Sequence, residues 1–297
     1  MSSPGERLRE ALDSERPLQV VGTINAFTAL LAEQASFKAI YLSGAGVANA
    51  SFGLPDLAMT TVGDVCEDIR RITYATDVPL LVDADTGWGG AFMVNRAIGE
   101  IERAGAAGCH LEDQVADKRC GHRPGKVLVQ KAEMVDRIKA ATDGKTDSQF
   151  IIMARTDAHA VEGQQAALDR ASAYVEAGAD IIFAEALTTL EEYSEFAGEV
   201  EVPVLANLTE FGKTPMFTAT QLGEVGIRLI LYPLSAFRAM SKAAEEVYKT
   251  IREEGTARHI IEKMQTREQL YKVLGYKEYE SKLDQLFFSQ RVTTNKD

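Results

Sequence analysis

Carboxylates recur along this chain wherever a short apolar run ends. Asp83 and Asp85 stand in Asp83-Ala84-Asp85-Thr86-Gly87-Trp88-Gly89, and Glu112 and Asp113 close His110-Leu111-Glu112-Asp113. Arg155-Thr156-Asp157, Glu185 and Asn207-Leu208-Thr209-Glu210 follow in the same manner. Residues two apart on a strand share a face, so Asp83 and Asp85 are expected to point the same way. Several carboxylates brought to one place repel one another unless a cation joins them. Hard oxygen donors suit Mg2+ or Mn2+, and magnesium keeps one or two direct carboxylates with several waters. Spacing alone fits an acidic, solvated strand end equally well.

A second group is the basic loop Lys118-Arg119-Cys120-Gly121-His122-Arg123-Pro124-Gly125-Lys126. Positive neighbours lower a thiol's pKa and make it a competent proton donor or nucleophile. Gly121 and Gly125 permit hinge motion, and long ordered loops often serve as lids. The plainer alternative is a basic surface loop with an incidental thiol. Cys66 and Cys109 lie in apolar surroundings and are expected in the core. Arg155 and Arg238 are candidate two-pronged carboxylate clamps, with structural ion pairs as the alternative. The turn Ser43-Gly44-Ala45-Gly46 offers backbone amides to an anion. His110 is expected as a hydrogen-bonded core histidine, and His159 and His259 at the surface.

The elements that must position these groups alternate. Strands are predicted at Gln19–Ala26, Ala39–Ser43, Leu80–Ala84, Gly108–Glu112, Phe150–Arg155, Ile181–Ala186, Val202–Leu208 and Ile227–Tyr232. Their nearly continuous apolar character is that of parallel strands buried on both faces. Helices are predicted at Val65–Tyr74, Ala91–Ala104 and Gln164–Ala177, the last two stopped by Gly105 and Gly178. The phrases Arg103-Ala104-Gly105-Ala106-Ala107-Gly108 and Glu176-Ala177-Gly178-Ala179-Asp180 each close a helix and open a strand, the mark of a βα repeat. About eight such units predict an α/β fold, a (β/α)8 TIM-type barrel, whose chemistry sits at the C-terminal strand ends. No G-x-G-x-x-G follows the first strand, so no dinucleotide site is expected. Residues 235–297 are expected as a helical C-terminal extension of one domain spanning 1–297. Its helices fall at Ala236–Glu253 and within Thr266–Leu286, packed on their own barrel or on a neighbouring subunit.

Composition narrows the partners. Lys and Arg number 32 against 44 Asp and Glu, a net charge of −12. Nucleic acid and acidic membranes are therefore not expected as partners, whereas an anionic small molecule is admitted by a few arginines and a metal in one cleft. Three cysteines are no disulfide framework and point to a reducing cytoplasm. Met1–Arg16 has no apolar signal core, and no apolar run approaches the roughly 20 residues needed to span a bilayer.

Four segments carry a family resemblance: Tyr41-Leu42-Ser43-Gly44, Asp83 to Gly87, Lys118 to His122, and Asn207-Leu208-Thr209-Glu210-Phe211-Gly212. In this order, and over essentially the whole chain, the sequence resembles the isocitrate lyase and phosphoenolpyruvate mutase superfamily. The cysteine loop looks like the lyase branch, since the mutases and phosphonate hydrolases lack that cysteine. Arg119 and the compact length resemble the methylisocitrate-cleaving members more than the longer isocitrate lyases. The resemblance implies a retro-aldol (Claisen-type) cleavage of 2-methylisocitrate, a tricarboxylate, to pyruvate and succinate in propionate breakdown through the methylcitrate cycle. It implies Mg2+ (or Mn2+) on Asp83 and Asp85, with Asp56 and Glu112 acting through water. Cys120 would be the acid, tuned by Lys118 and His122, and Tyr41 or Glu112 the base. Arg155, Glu185, Asn207, Leu208, Thr209, Arg238 and Arg267 would hold the substrate, with Ser43, Gly44, Ala45 and Gly121 adding backbone contacts. A homotetramer is implied as well. Isocitrate, dimethylmalate or oxaloacetate chemistry remains open, as does a catalytically silent, metabolite-binding barrel. One methyl group separates two of these substrates by only about 1–3 kcal/mol.

Overall fold

A computed structural model describes residues 2–293. Eight parallel strands close into a barrel in chain order, β8 returning to β1. They are β1 Leu18–Gly22, β2 Ala39–Leu42, β3 Leu80–Asp83, β4 Gly108–Glu112, β5 Ile151–Thr156, β6 Ile181–Ala184, β7 Val204–Asn207 and β8 Leu229–Tyr232. All eight expected strands are present, and the (β/α)8 barrel follows. β1 ends earlier than the apolar run suggests, because Asn25 caps the next helix, Ala26–Gln34. Its side chain accepts from Thr28 N–H, and Thr28 answers the Asn25 backbone N–H.

Two apolar layers hold the barrel. One lies between strands and outer helices and includes Ile40, Val82, Ile98, Leu111, Ile138, Ile152 and Ile182. The other fills the lumen with Val20, Leu81, Ile151, Met153, Ile181, Leu205 and Leu229. Leu8, Ala11 and Leu12 of the helix Pro4–Ser14 join this inner cluster and cover its N-terminal end. No expectation was attached to this helix in the sequence. Its Pro4 at the first turn and its Ser3 cap were the available signals.

Inward positions alternate along each strand, so the lumen is layered from alternate strands. Above the apolar floor, the even strands supply Tyr41, His110, Phe183 and Leu231. Next, the odd strands supply Asp83, Arg155 and Asn207, with Gly22 in the β1 place. The even strands close the mouth with Ser43, Glu112, Glu185 and Pro233. Gly22 is required there: a Cβ would fall 1.6 Å from the Pro233 carbonyl oxygen and 2.4 Å from its carbon. Because both obstacles are backbone, Gly22→Ala should cost roughly 2–4 kcal/mol of stability by chemical denaturation. A loss within the scatter of neutral substitutions would show that the β1–β8 seam yields.

The chain divides into two compact units after Arg238. The helix Ser235–Glu254 spans the division. In the second unit follow a 3-10 turn at Arg258–Lys263 and the helices Arg267–Val273 and Tyr276–Thr293, where Tyr271 stacks on Tyr276 at 4.3 Å. Among the described residues no helix is long and apolar enough to cross a membrane.

Candidate active site

The C-terminal mouth of the barrel holds a cavity of about 220 Å³. Its wall brings together Tyr41, Ser43, Ala45, Asp56, Asp83, Glu112, Lys118, Cys120, Gly121, His122, Arg155, Glu185, Asn207, Thr209 and Arg238, most of the residues singled out in the sequence. A wider hollow of about 920 Å³ lies at the opposite end, among Glu15, Arg16, Phe37 and Arg228. It is the end that barrel chemistry does not use.

Asp83 ends β3 and is held by backbone amides: Gly44 N–H donates to its Oδ2 and Asp85 N–H to its Oδ1, each at 3.0 Å. Burial pushes its carboxyl up, but His110, Lys118 and Arg155 outweigh that and keep it well below the usual range. Asp85 does not continue the strand alternation. Its φ of +47° turns the chain left-handed, a conformation an aspartate tolerates, and this turn is what brings Asp85 to Lys118. Lys118 Nζ lies 2.5 Å from Asp85 Oδ1 and 2.7 Å from Asp56 Oδ1. Burial and the Asp83 charge push Asp85 up to about 7, against the pull of Lys118.

The donor chemistry fits a hydrated hard cation. Asp85 Oδ1 is buried and accepts no well-aligned hydrogen bond, only the close Lys118 charge. Gly44 lies close over both carboxylates: a Cβ there would crowd Asp83 Oδ2 at 3.1 Å and Asp85 Oδ1 at 3.2 Å, so the two oxygens face one point. Among the described residues no three His, Cys, Asp or Glu groups converge closely enough to cage a metal themselves.

Beside these carboxylates, Tyr41 Oη lies 2.8 Å from His110 Nε2, and the two rings are stacked. Burial lowers His110 to about 4, so it is neutral near pH 7, while burial and Asp83 raise Tyr41. Burial also drives Glu112 well above the carboxylate range, opposed by Arg155 at 3.3 Å.

Arg155 organises the opposite wall. Its Nε and Nη2 donate to Asp157 at 2.9 and 3.2 Å, and Glu112 and Glu185 each lie at 3.3 Å. Its guanidinium stands 5.2 Å over the Phe183 ring. Asn207 Nδ2 donates to Glu185 Oε2 at 3.2 Å. His122 Nε2 lies 3.4 Å from Glu185, and its Nδ1 accepts from Lys213 N–H at 3.0 Å, joining the cysteine loop to the β7 loop. Burial lowers His122 from its ordinary value, partly offset by Glu185. Arg238 pairs loosely with Glu210 at 3.5 Å and leaves much of its guanidinium open to the cavity mouth.

Three predicted substrate contacts lie apart from this wall: Gly44, whose N–H is given to Asp83, Leu208 and Arg267. Leu208 is fully buried in the outer apolar layer, and its N–H bonds the Leu231 carbonyl at 2.8 Å, so only its carbonyl remains to offer. Arg267 belongs to the second unit, where it lines a groove with Tyr271 and Tyr276. The cavity adds residues without an expected role: Asn49, Arg119, Phe183, Leu231, Pro233 and Leu234. Phe183 stands two before Glu185 on β6, so strand alternation was the signal that could have found it.

Comparison with known proteins supplies the family. The phosphoenolpyruvate phosphomutase family model matches residues 8–252. A 2-methylisocitrate lyase of Shewanella oneidensis is 58% identical over 285 residues, covering 96% of this chain and 98% of the relative. The crystal structure of a 2,3-dimethylmalate lyase superposes with a TM-score of 0.88 at 33% identity, covering 96% of both chains. A phosphonopyruvate hydrolase, in complex with oxalate and Mg++, superposes with a TM-score of 0.82 at 30% identity, covering 94% of this chain and 98% of that one. Barrel, mouth chemistry and these likenesses together place the chain, as a lyase, in the phosphoenolpyruvate phosphomutase family of the isocitrate lyase superfamily.

Proposed function

We propose that this lyase cleaves 2-methylisocitrate to pyruvate and succinate. The observation that carries the reading is the make-up of the cavity wall. It offers Arg155, Arg238, Asn207 and Thr209 to carboxylates, Asp83, Glu112 and Cys120 to the chemistry, and the apolar Phe183, Leu231, Pro233 and Leu234 to a methyl group. A methyl-bearing tricarboxylate uses all three. Isocitrate has no methyl group to meet the apolar residues.

A base takes the proton of the substrate hydroxyl. Tyr41 and Glu112 are the candidates; burial raises both, and the Arg155 charge opposes that rise in each. The bond between the hydroxyl-bearing carbon and its neighbour breaks, giving pyruvate and a succinate carbanion delocalised into its carboxylate. Cys120 delivers its thiol proton to that carbon. Lys118 and His122 flank it on the loop and bind it to the acidic wall through Asp85 and Glu185. A magnesium or manganese ion, held by Asp83 and Asp85 with Asp56 and Glu112 acting through water, would supply Lewis acidity toward the hydroxyl oxygen and the adjacent carboxylate. Arg155, Glu185, Asn207, Thr209 and Arg238 hold the substrate carboxylates, with backbone contacts from Ser43, Ala45 and Gly121. The C-terminal helices are read as packing across a homotetramer. Three free thiols suit a reducing cytoplasm, and the reaction suits propionate breakdown through the methylcitrate cycle.

Pyruvate release from 2-methylisocitrate and glyoxylate release from isocitrate test this, each with magnesium and with a chelator. Metal-dependent pyruvate release is expected, with kcat/KM for the methylated substrate higher by about 10–200-fold. Chelation should remove activity, and added Mg2+ or Mn2+ should restore it. Preference for isocitrate would overturn the substrate assignment, and full activity in chelator the metal assignment.

A further inference from the structure

Cys120 lies on a loop whose backbone is gripped on both sides by buried side chains. The loop leaves and returns at a bridge between Gln114 and Leu128, with Val115 N–H on the Val127 carbonyl at 3.0 Å and Val129 N–H on the Asp113 carbonyl at 2.9 Å. On the near side, the Gln114 amide reads Arg119 twice. Its Oε1 accepts the Arg119 N–H at 3.0 Å, and its Nε2 donates to the Arg119 carbonyl at 2.8 Å and to Glu112 at 3.1 Å. On the far side, Lys126 Nζ donates to the Gly121 carbonyl at 2.7 Å and to Asp157 Oδ1 at 2.8 Å. The Lys126 side chain is 2% exposed and that of Asp157 0%. Gly121 itself presses on the charged wall of the cavity: a Cβ there would lie 2.0 Å from Glu185 Oε1 and 2.4 Å from Arg155 Nη2.

We propose that Gln114 and Lys126 are positioning residues that hold the Cys120 loop shut over the cavity; the proposal rests on the reading of Cys120 as the acid. Neither side chain lines the cavity, and each acts through the backbone next to the thiol. Opening the loop takes the Gly121 carbonyl from a buried ammonium, and hydrogen bonds to charged groups are among the strong ones. Lys126 shares Asp157 with Arg155, so the cation that clips the loop and the guanidinium facing the substrate are fixed by one carboxylate. Closure is thereby favoured by a bond within the protein, and Cys120 is set against the site before its proton is needed.

The test uses the full chain with magnesium and the variants Lys126→Met, Lys126→Arg and Gln114→Met. Lysine methylene packing is retained by methionine, and Lys126→Gln, polar but one atom shorter, replaces Lys126→Met should that variant not fold. Two quantities are read: the kcat and KM for 2-methylisocitrate, and the rate at which trypsin cuts after Lys118 or Arg119, mapped by mass spectrometry. Lys126→Met is expected to lower kcat by about 10–100-fold with KM changed less. Cutting within the loop should rise by a similar factor, because cutting tracks the open population. Lys126→Arg should recover most of both, and Gln114→Met should act in the same direction as Lys126→Met. An unchanged cutting rate after Arg119, an unchanged kcat, or faster cutting spread over the whole chain would each overturn the proposal. If the parent protein cleaves no 2-methylisocitrate, the lyase reading fails alone, and loop-confined cutting still decides whether Lys126 and Gln114 clip the loop.

Discussion

Cys120→Ser is expected to lower kcat for pyruvate release by roughly 10²–10⁴-fold, the contribution typical of one positioned acid. KM should change little, since the groups assigned to substrate carboxylates sit on β5 to β8 and the loops that follow them, not on the thiol. Serine keeps the shape of the side chain and every loop contact described for Gln114 and Lys126, so the loss would report the proton and not the fold. The other two thiols serve as internal controls. Cys66 and Cys109 are buried, burial raises the pKa of each, and neither lines the cavity. Cys66→Ser should leave kcat unchanged. A Cys120→Ser enzyme retaining most of its activity would remove the thiol from the mechanism.

Arg155→Met is expected to cost roughly 3–5 kcal/mol of folding stability, because breaking a buried pair leaves uncompensated charge behind. One guanidinium faces Asp157, Glu112 and Glu185 here, with the Phe183 ring beneath it. Methionine keeps part of the volume and none of the charge. The pH dependence supplies an independent check. Burial raises Asp157, but Arg155 and Lys126 outweigh it and hold its folded pKa below the ordinary value. A depressed carboxylate contributes stability that is present above its unfolded pKa and lost as pH falls through the folded one. Without Arg155 much of that contribution is gone, so the gap between variant and parent should be widest near neutral pH and narrow toward acid. Denaturant melts across this range measure it. A pH-independent gap would mean that Arg155 stabilises through packing on Phe183 alone. Arg155→Lys should be intermediate, keeping the charge and losing the two-pronged fit to Asp157.

Much of the fold was legible in the chain because its signals are local. Apolar strand segments, glycine stops at Gly105 and Gly178 and the repeated βα phrase pointed to about eight units and so to a closed barrel over an open sheet, and the barrel is closed. Residues at strand ends then had to share one rim, so Asp83, Glu112, Arg155, Glu185 and Asn207 could be named together without coordinates. The pattern failed where a short-range cap overruled an apolar run, at Asn25, and where Pro4–Ser14 forms a helix whose role is to cover the barrel floor.

Other features depend on which groups the closed barrel sets side by side. Asp85 reaches Lys118 through a left-handed turn and not through strand alternation, because a backbone reversal at one residue leaves no periodic trace in sequence. The apolar lining of the cavity draws Phe183 from β6 and Leu231, Pro233 and Leu234 from the end of β8, about fifty residues apart and joined only by curvature of the sheet. Read along the chain, Gln114 carries no signal, Lys126 is one more cation of the basic loop, and Asp157 is a strand-end carboxylate with no visible partner. Burial converts them into fixed partners, since a polar group removed from water must find its hydrogen bonds inside the protein. Local signals along the chain set the barrel and the rim on which the chemistry-bearing residues stand; which of them touch follows from the closed fold, because burial and pairings such as Lys126 with Asp157 or Lys118 with Asp85 join segments about thirty residues apart.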